Sequence, residues 1–464
     1  MADFRMASLQ TLSCVVGASC ALLLTTGCEL NNTAPTTVAT TTITALQGSV
    51  HGGQQAVGGA TVTAYAVSNS GYGTASRVLG STTTNSSGGF SLSAYNNCVA
   101  NDLVYLVATG GNPGVSGTQN NSALAMMTGL GACSNIDNTT KVTINELTTI
   151  GTVWPLAPFM KDAAHVGTSA TNPLGLTNAF NTIYLKMYDI ASGVTPSYYL
   201  NFNAVFPVAE YNTLADILAS CINTVDTTSP AGQSAICQSI FAAGAVNGVA
   251  PTNTIQLALN LALHPTIGLS LYAQGTPTAP YQPTLGTATA PTSWTIAIQY
   301  SFNSLDPTPN IPRGIAVDPT GYIYSAGAGQ NSDSSHTNSL LEISPLTGSM
   351  IETHYTGNTI ENQPSALAID TAGDIWATDS ANDSLIEDGL NAPTGGGGIL
   401  TGNAMSGPNA VAIDASGYIW LTNAGNSSVS AFAPTFASSG SAATALGNFT
   451  SGIAAPVAIL INPK

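Results

Sequence analysis

From Leu46 to about Thr140 apolar and polar residues alternate in short runs such as "GATVTAYAV", "SRVLGSTTT", "GGFSLSAY" and "LVYLVATGG", each bounded by Gly, Asn or Ser. A period of two broken by turn residues predicts a small antiparallel β-sandwich over residues 46–140. From Lys141 the period lengthens. "PVAEYNTLADILASCINTV" sets Leu214, Ile217, Leu218 and Cys221 at helical spacing, and "CQSIFAAGAV" and "NTIQLALNLALHP" continue it up to the stop at His264-Pro265, where His264 would complement a helix dipole. Thr143 and Glu146 stand in the S/T-x-x-E relation of a capping box, which predicts a helix start there and gives Glu146 a structural role. Pro155 and Pro158 should kink or end that helix. A helical domain is therefore expected over 141–276 and a Pro/Thr-rich linker over 277–293; the strand period returns at Trp294.

Beyond the linker a unit repeats. "IPRGIAVDPTGYIYSAG", "QPSALAIDTAGDIWATD" and "GPNAVAIDASGYIWLTN" each carry a proline (Pro312, Pro364, Pro408) and an alternating strand ending in Asp (Asp318, Asp370, Asp414). A glycine turn (Gly321, Gly373, Gly417) and a second strand centred on an aromatic (Tyr324, Trp376, Trp420) follow. A fourth copy opens at Pro456. The prolines are 52, 44 and 48 residues apart, the spacing of propeller blades. Small Ala316, Ala368 and Ala412 in the first strand suit close backbone approach near a propeller axis. Closed propellers have about four to eight blades, so three copies and one strand predict an incomplete propeller over 294–464. Its open edge around "APVAILINPK" could self-associate, and Trp294–Phe302 is a candidate outer strand for the first blade.

The repeats resemble NHL-repeat propellers and the related streptogramin (virginiamycin B) lyase propellers. That resemblance implies the fold. The lyases use a histidine base and metal-coordinating acids on one face, whereas His336 and His354 here fall outside the motif. "GSVHGGQQAVGGATVTAYAV…TTTNSSGGFSLSAY", through Gly48, Val50, Gly59-Ala60, Gly88, Gly89 and Phe90, resembles the carboxypeptidase regulatory-like module, which implies a spacer or adhesive role. With "YNTLADILASCIN" and "APTNTIQLALNLALHP" between them, the order of segments resembles secreted bacterial NHL-repeat proteins.

Composition narrows the address. "MADFRMASLQTLSCVVGASCALLLTTGC" has one early Arg, an apolar stretch too short for a stable membrane span and small residues before Cys28, which reads as a signal peptide over residues 1–27. Gly27-Cys28 resembles a lipobox, implying lipidation of Cys28; simple secretion is the alternative. The Thr-rich stretch 28–45 would be a tether. An exported lipoprotein of the outer membrane, periplasm or cell surface follows, or otherwise an extracellular protein. In an oxidising compartment Cys98, Cys133, Cys221 and Cys237 should form disulfides. Three connectivities exist, and nearest-neighbour pairing keeps each bridge within one segment.

Charged residues make up only 6% of the chain, with 7 basic against 23 acidic and a net charge of −16, which excludes nucleic acid as partner. The densest acid stretch, "DIWATDSANDSLIED", offers Asp379 and Asp383 as weak candidates for calcium, without EF-hand spacing; turn-capping is the simpler role. Five scattered histidines and no nucleophile, phosphate-loop or dinucleotide motif leave no catalytic set. The reading is a multidomain, mainly β protein, non-enzymatic, binding a protein or glycan at the cell surface with no cofactor. A secreted lyase or hydrolase acting on the propeller face is the alternative.

Overall fold

The computed structural model describes residues 45–93, 98–114, 120–183, 187–195, 204–224, 234–300, 310–318, 321–329, 338–344, 350–354, 364–371, 373–388, 398–433 and 445–461. Cys28, the signal segment, the tether and His336 lie outside them.

The amino-terminal strands are β1 (Leu46–Gly52), β2 (Gln55–Ala56), β3 (Thr61–Ala66), β4 (Arg77–Thr83), β5 (Gly89–Leu92), β6 (Leu103–Thr109), β7 (Ala125–Ala132) and β8 (Lys141–Ile144). They make two four-stranded sheets, one with β1 between β2 and β5 and β8 added parallel to β1, the other in the order β4-β3-β6-β7. The alternation is real: Val62, Ala64 and Ala66 of β3 are buried while Thr61 and Thr63 face outward. Strand β8 lies past the expected boundary at residue 140. Its pairing of Ile144 with Val50 keeps the chain extended through Ile144, and this moves the helix start.

Helix α1 (Glu146–Leu156) is capped by Asn145, not Thr143. The Asn145 side chain accepts from Thr148 N–H at 2.8 Å, and Thr148 Oγ1 accepts from Asn145 N–H at 2.9 Å. A capping box exists, then, but two residues later than the S/T-x-x-E spacing suggests, and Glu146 is the first helical residue rather than its reciprocal partner. Pro155 falls in the last turn and α1 ends one residue beyond it. The strands β9 (Met160–Asp162) and β10 (His165–Val166) make a small hairpin. Next come α2 (Pro173–Thr182), β11 (Ala204–Val205), α3 (Val208–Ile222), α4 (Ala235–Ala243) and α5 (Thr254–Leu263).

The helices cover β7, the last strand of its sheet. An edge strand presents unpaired N–H and C=O groups on every second residue, and threonines answer them here. Met127 N–H donates to Thr149 Oγ1 at 3.0 Å, Gly129 N–H to Thr152 Oγ1 at 3.1 Å, and Ala125 N–H to Thr254 Oγ1 at 3.0 Å. Thr148 Oγ1 donates to Met127 C=O and Thr254 Oγ1 to Ala125 C=O. One apolar core consequently runs without a break from Leu46 of the sheets through the helices to Trp294. Two disulfides pin it, Cys98–Cys133 and Cys221–Cys237, with Cα–Cα distances of 6.1 and 4.5 Å. The second clips α3 to α4, the nearest-neighbour pairing expected.

Strand β12 (Gln299–Tyr300) pairs with β11. This corrects the placement of Trp294–Phe302 as an outer strand of the first repeat. Trp294 is instead buried in the helical core, its indole N–H donating to Ile267 C=O at 3.0 Å.

Each full repeat folds into one antiparallel four-stranded sheet of sequential strands. Sheet 1 is β13 (Asn310–Val317), β14 (Ile323–Gly329), β15 (Asn338–Ile343) and β16 (Met350–His354). Sheet 2 is β17 (Pro364–Ile369), β18 (Ile375–Asp379), β19 (Ser384–Asp388) and β20 (Gly398–Thr401). Sheet 3 is β21 (Pro408–Ile413), β22 (Ile419–Asn423), β23 (Ser428–Phe432) and β24 (Ala445–Phe449).

The sheets stack face to face, and the period of two decides which residue meets which neighbour. Ile375 and Ala377 of β18 pack with Tyr324 and Ala326 of sheet 1, while Trp376 between them packs with Ile419, Leu421 and Phe432 of sheet 3. The first strands come closest: a Cβ on Gly314 would lie 3.1 Å from Ala366 Cα. Close approach is thus made by Gly314 against Ala366, next to the alanines expected to allow it. The segment 453–461, where the fourth copy begins, has no assigned strand.

Candidate functional site

The motif residues come together, but in turns. In each sheet the aspartate that ends the first strand closes the hairpin to the second. Asp414 N–H donates to Tyr418 C=O (3.0 Å), Gly417 N–H to Asp414 C=O (2.9 Å), and Tyr418 N–H to Asp414 Oδ1 (3.0 Å). The same three bonds join Asp370, Gly373 and Asp374, and Asp318, Gly321 and Tyr322. The glycines have φ of +98°, +92° and +82°, a region that side chains with a Cβ disfavour. The second carboxylate oxygen takes the aromatic of the next strand: Trp376 Nε1–H donates to Asp370 Oδ2 at 3.2 Å and Trp420 Nε1–H to Asp414 Oδ2 at 3.0 Å. The indole bond holds the Asp414 carboxyl below its usual range.

The candidate calcium residues are held in the same way. Asp379 Oδ1 accepts from the N–H groups of Ala381 and Asn382 at 3.0 and 3.3 Å, and Oδ2 from Asn382 Nδ2 at 2.8 Å; Asp383 Oδ1 accepts from Gly407 N–H at 2.6 Å. Among the described residues no three His, Cys, Asp or Glu side chains are grouped to hold a metal ion. His165 Nδ1 lies 2.7 Å from Asp162 Oδ1 in the β9–β10 hairpin. His264 ends α5, and His354 is described in its backbone alone.

Sequence reading missed the residue after each motif proline. The strand register slips between Pro312 and Gly314, Pro364 and Ala366, and Pro408 and Ala410, so Arg313, Ser365 and Asn409 each occupy a β-bulge, a device that re-aims a side chain. Ser365 Oγ and Thr378 Oγ1 are 2.9 Å apart, and Thr422 Oγ1 donates to Asn409 Oδ1 at 2.7 Å. Ser365 Oγ also reaches Pro408 C=O of the next sheet at 3.2 Å, while Arg313 is exposed. A polar row therefore lines the edge where the first strands converge. The available signal was a polar residue behind each motif proline; alignment on the conspicuous Asp, Gly and Trp hides it.

A second constellation lies inside the helical region. Glu146 is fully buried; both its oxygens accept from Gly53 N–H (2.8 and 2.9 Å) and Oε2 also accepts from Tyr281 Oη–H at 2.6 Å. Tyr281 N–H donates to Asp216 Oδ1 at 3.0 Å, and Asp216 Oδ2 is buried without a partner. Burial pushes both carboxyls up to about 7, Asp216 also feeling the Glu146 charge. This cluster ties the β1–β2 turn, α1, α3 and the 275–285 segment together. An open cleft of about 670 Å³ does lie on the first sheets between Ser49, Thr83, Phe90 and Lys141, its lining otherwise formed by uncharged residues.

No protein-family model matches the chain, and no curated protein matches it. Solved structures overlap part of the chain at low identity. Streptogramin B lyase is 18% identical over 26% of this chain and 37% of its own, with a TM-score of 0.21. A catalytically inactive virginiamycin B lyase from Staphylococcus aureus with quinupristin is 20% identical over 27% and 38%, TM-score 0.22. The periplasmic gluconolactonase of Pseudomonas aeruginosa is 17% identical over 31% and 44%, TM-score 0.23. The chain spans less than half the length of these structures, and overlap at such scores carries no argument about its chemistry.

Proposed function

We propose that this is an exported, non-enzymatic binding and structural protein. Lipidated Cys28 and the Thr-rich tether hold it at the cell surface. The two amino-terminal sheets serve as a spacer of the carboxypeptidase regulatory-like kind, and the three repeat sheets act as NHL-type propeller blades. Their bulge row and hairpins meet a glycan or protein.

One observation carries this reading: Asp318, Asp370 and Asp414, the carboxylates of the repeat motif itself, are engaged in turn hydrogen bonds that close the hairpins, a structural use rather than the positioning of an acid or base toward a substrate. The Arg313, Ser365 and Asn409 row offers one cation, one hydroxyl and one amide, groups suited to neutral or weakly acidic sugar hydroxyls. The test is co-sedimentation of the full chain with peptidoglycan sacculi. Binding weakened about tenfold in the Arg313→Ala, Asn409→Ala double variant supports the reading; no binding, or equal binding by the variant, contradicts it.

The second reading is a secreted lyase or hydrolase working on the propeller face, as the streptogramin B lyase and gluconolactonase that overlap part of the chain are lyase and hydrolase by name. Incubation of the full chain with virginiamycin B, followed by chromatography, separates the two: consumption of the compound at enzyme-dependent rates would establish the alternative.

A further inference from the structure

Strands β4 and β5 follow one another in sequence yet end different sheets: among the described strands β4 pairs with β3 alone and β5 with β1 alone. The open cleft of about 670 Å³ lies where they part, walled by the 82–85 and 89–91 segments and by β1 and β8. Its volume falls within the roughly 300–1,000 Å³ of small-ligand sites. The turn that joins the two strands is fixed, since Asn85 Oδ1 accepts from the N–H groups of Ser87 and Gly89 at 3.0 and 2.9 Å.

Strand register decides which residues share the cleft. Gln47 pairs with Ser91 on one side and Lys141 on the other, and Ser49 pairs with Gly89 and Thr143. Directly paired residues point to the same face of a sheet, so this face is polar apart from Gly89, while Phe90 and Val142 of the row between are buried. Two of the lining hydroxyls are spent on the fold: Thr84 Oγ1 donates to Val57 C=O at 2.7 Å and Thr143 Oγ1 to Ala191 C=O at 2.6 Å. Those of Ser49, Thr82, Thr83 and Ser91 join no hydrogen bond among the described residues. Lys141 is the one charged residue of the lining. Its ammonium donates to the neutral Gln47 Oε1, and no carboxylate lines the cleft to neutralise it.

We propose that this cleft binds an acidic oligosaccharide, one that carries isolated carboxylates among neutral sugar units. Serine and threonine hydroxyls both donate and accept, as sugar hydroxyls do, and the lone ammonium supplies a contact for one carboxylate. A phosphate or sulfate ester is better served by the fork of an arginine, and a densely charged polyanion is repelled by a chain of charge −16. An apolar ligand would strip water from these hydroxyls without replacing it. The sheets given a spacer's role above thereby acquire a ligand. Nothing in this site depends on the Arg313, Ser365 and Asn409 row, so either can fail without the other.

The test is calorimetric titration of the full chain with a tetrasaccharide of alternating glucuronate and N-acetylglucosamine, beside the neutral tetramer of N-acetylglucosamine. The acidic sugar should bind about tenfold more tightly than the neutral one, the scale of one hydrogen bond to a charged group. Lys141→Gln, at an exposed position, should lower the acidic sugar to the neutral sugar's affinity, and Lys141→Arg, which keeps the cation, should retain most of the difference. Ser49→Val, a residue that suits a strand, should weaken both sugars about fivefold through one lost hydroxyl. The Arg313→Ala, Asn409→Ala double variant should bind both as the wild type does. No binding of the acidic sugar, equal affinity for the two sugars, binding unchanged in Lys141→Gln, or binding lost in the double variant each overturns the assignment.

Discussion

At the scale of single residues, the buried carboxyls of Glu146 and Asp216 predict behaviour. Glu146 keeps a titratable carboxyl in the core because Gly53 and Tyr281 donate to it. Its pKa is raised from 4.5 to about 7 by burial, so the folded chain holds a proton that the unfolded chain releases. The stabilisation is fully present below about pH 4.5 and is lost as pH rises through about 7. Asp216, raised from 3.8 to about 7, acts in the same direction. Glu146→Gln keeps an acceptor for Gly53 without the titration. Its unfolding free energy should therefore fall less than the wild type's between pH 4.5 and 7.5, measured by urea denaturation; parallel profiles would refute the assignment. Nothing local in "TINELTTIG" discloses this role. The S/T-x-x-E spacing gave Glu146 a cap's task, while its actual partners are 93 and 135 residues away.

At the scale of elements, periodicity revealed strands and helices but not what seals their edges. The threonines of α1 look like indifferent helix formers in sequence. In the fold, Thr149 and Thr152 are the acceptors that β7 lacks. Thr149→Val preserves shape and leaves Met127 N–H buried without a partner, at a cost of about 1–3 kcal/mol, readable as a lowered denaturation midpoint. The disulfide between α3 and α4 was legible because both cysteines lie on apolar stripes close in sequence. With its cysteines 16 positions apart in sequence, loop-closure entropy gives it about 3 kcal/mol. The Cys221→Ser, Cys237→Ser double variant should lose stability of that order, and an unchanged midpoint would show that packing alone fixes the two helices.

At the scale of the whole molecule, the repeats declared their sheets through proline spacing and the Asp–Gly–aromatic signature. The boundaries between the earlier segments did not show, because the strand β8 and a common core cross them. The bulge row also stayed hidden: a bulge is a property of strand pairing, and Arg313, Ser365 and Asn409 share position rather than identity. On the function proposed above, the motif aspartates of the repeats serve to build the sheets. The most direct measurement is equilibrium unfolding of Asp370→Ala and Asp414→Ala, followed by tryptophan fluorescence. Each variant removes the acceptor of a turn N–H and of an indole N–H, and should lose about 1–3 kcal/mol with the Trp376 or Trp420 emission altered. Variants as stable as the wild type would contradict the claim and return these carboxylates to the list of reactive groups.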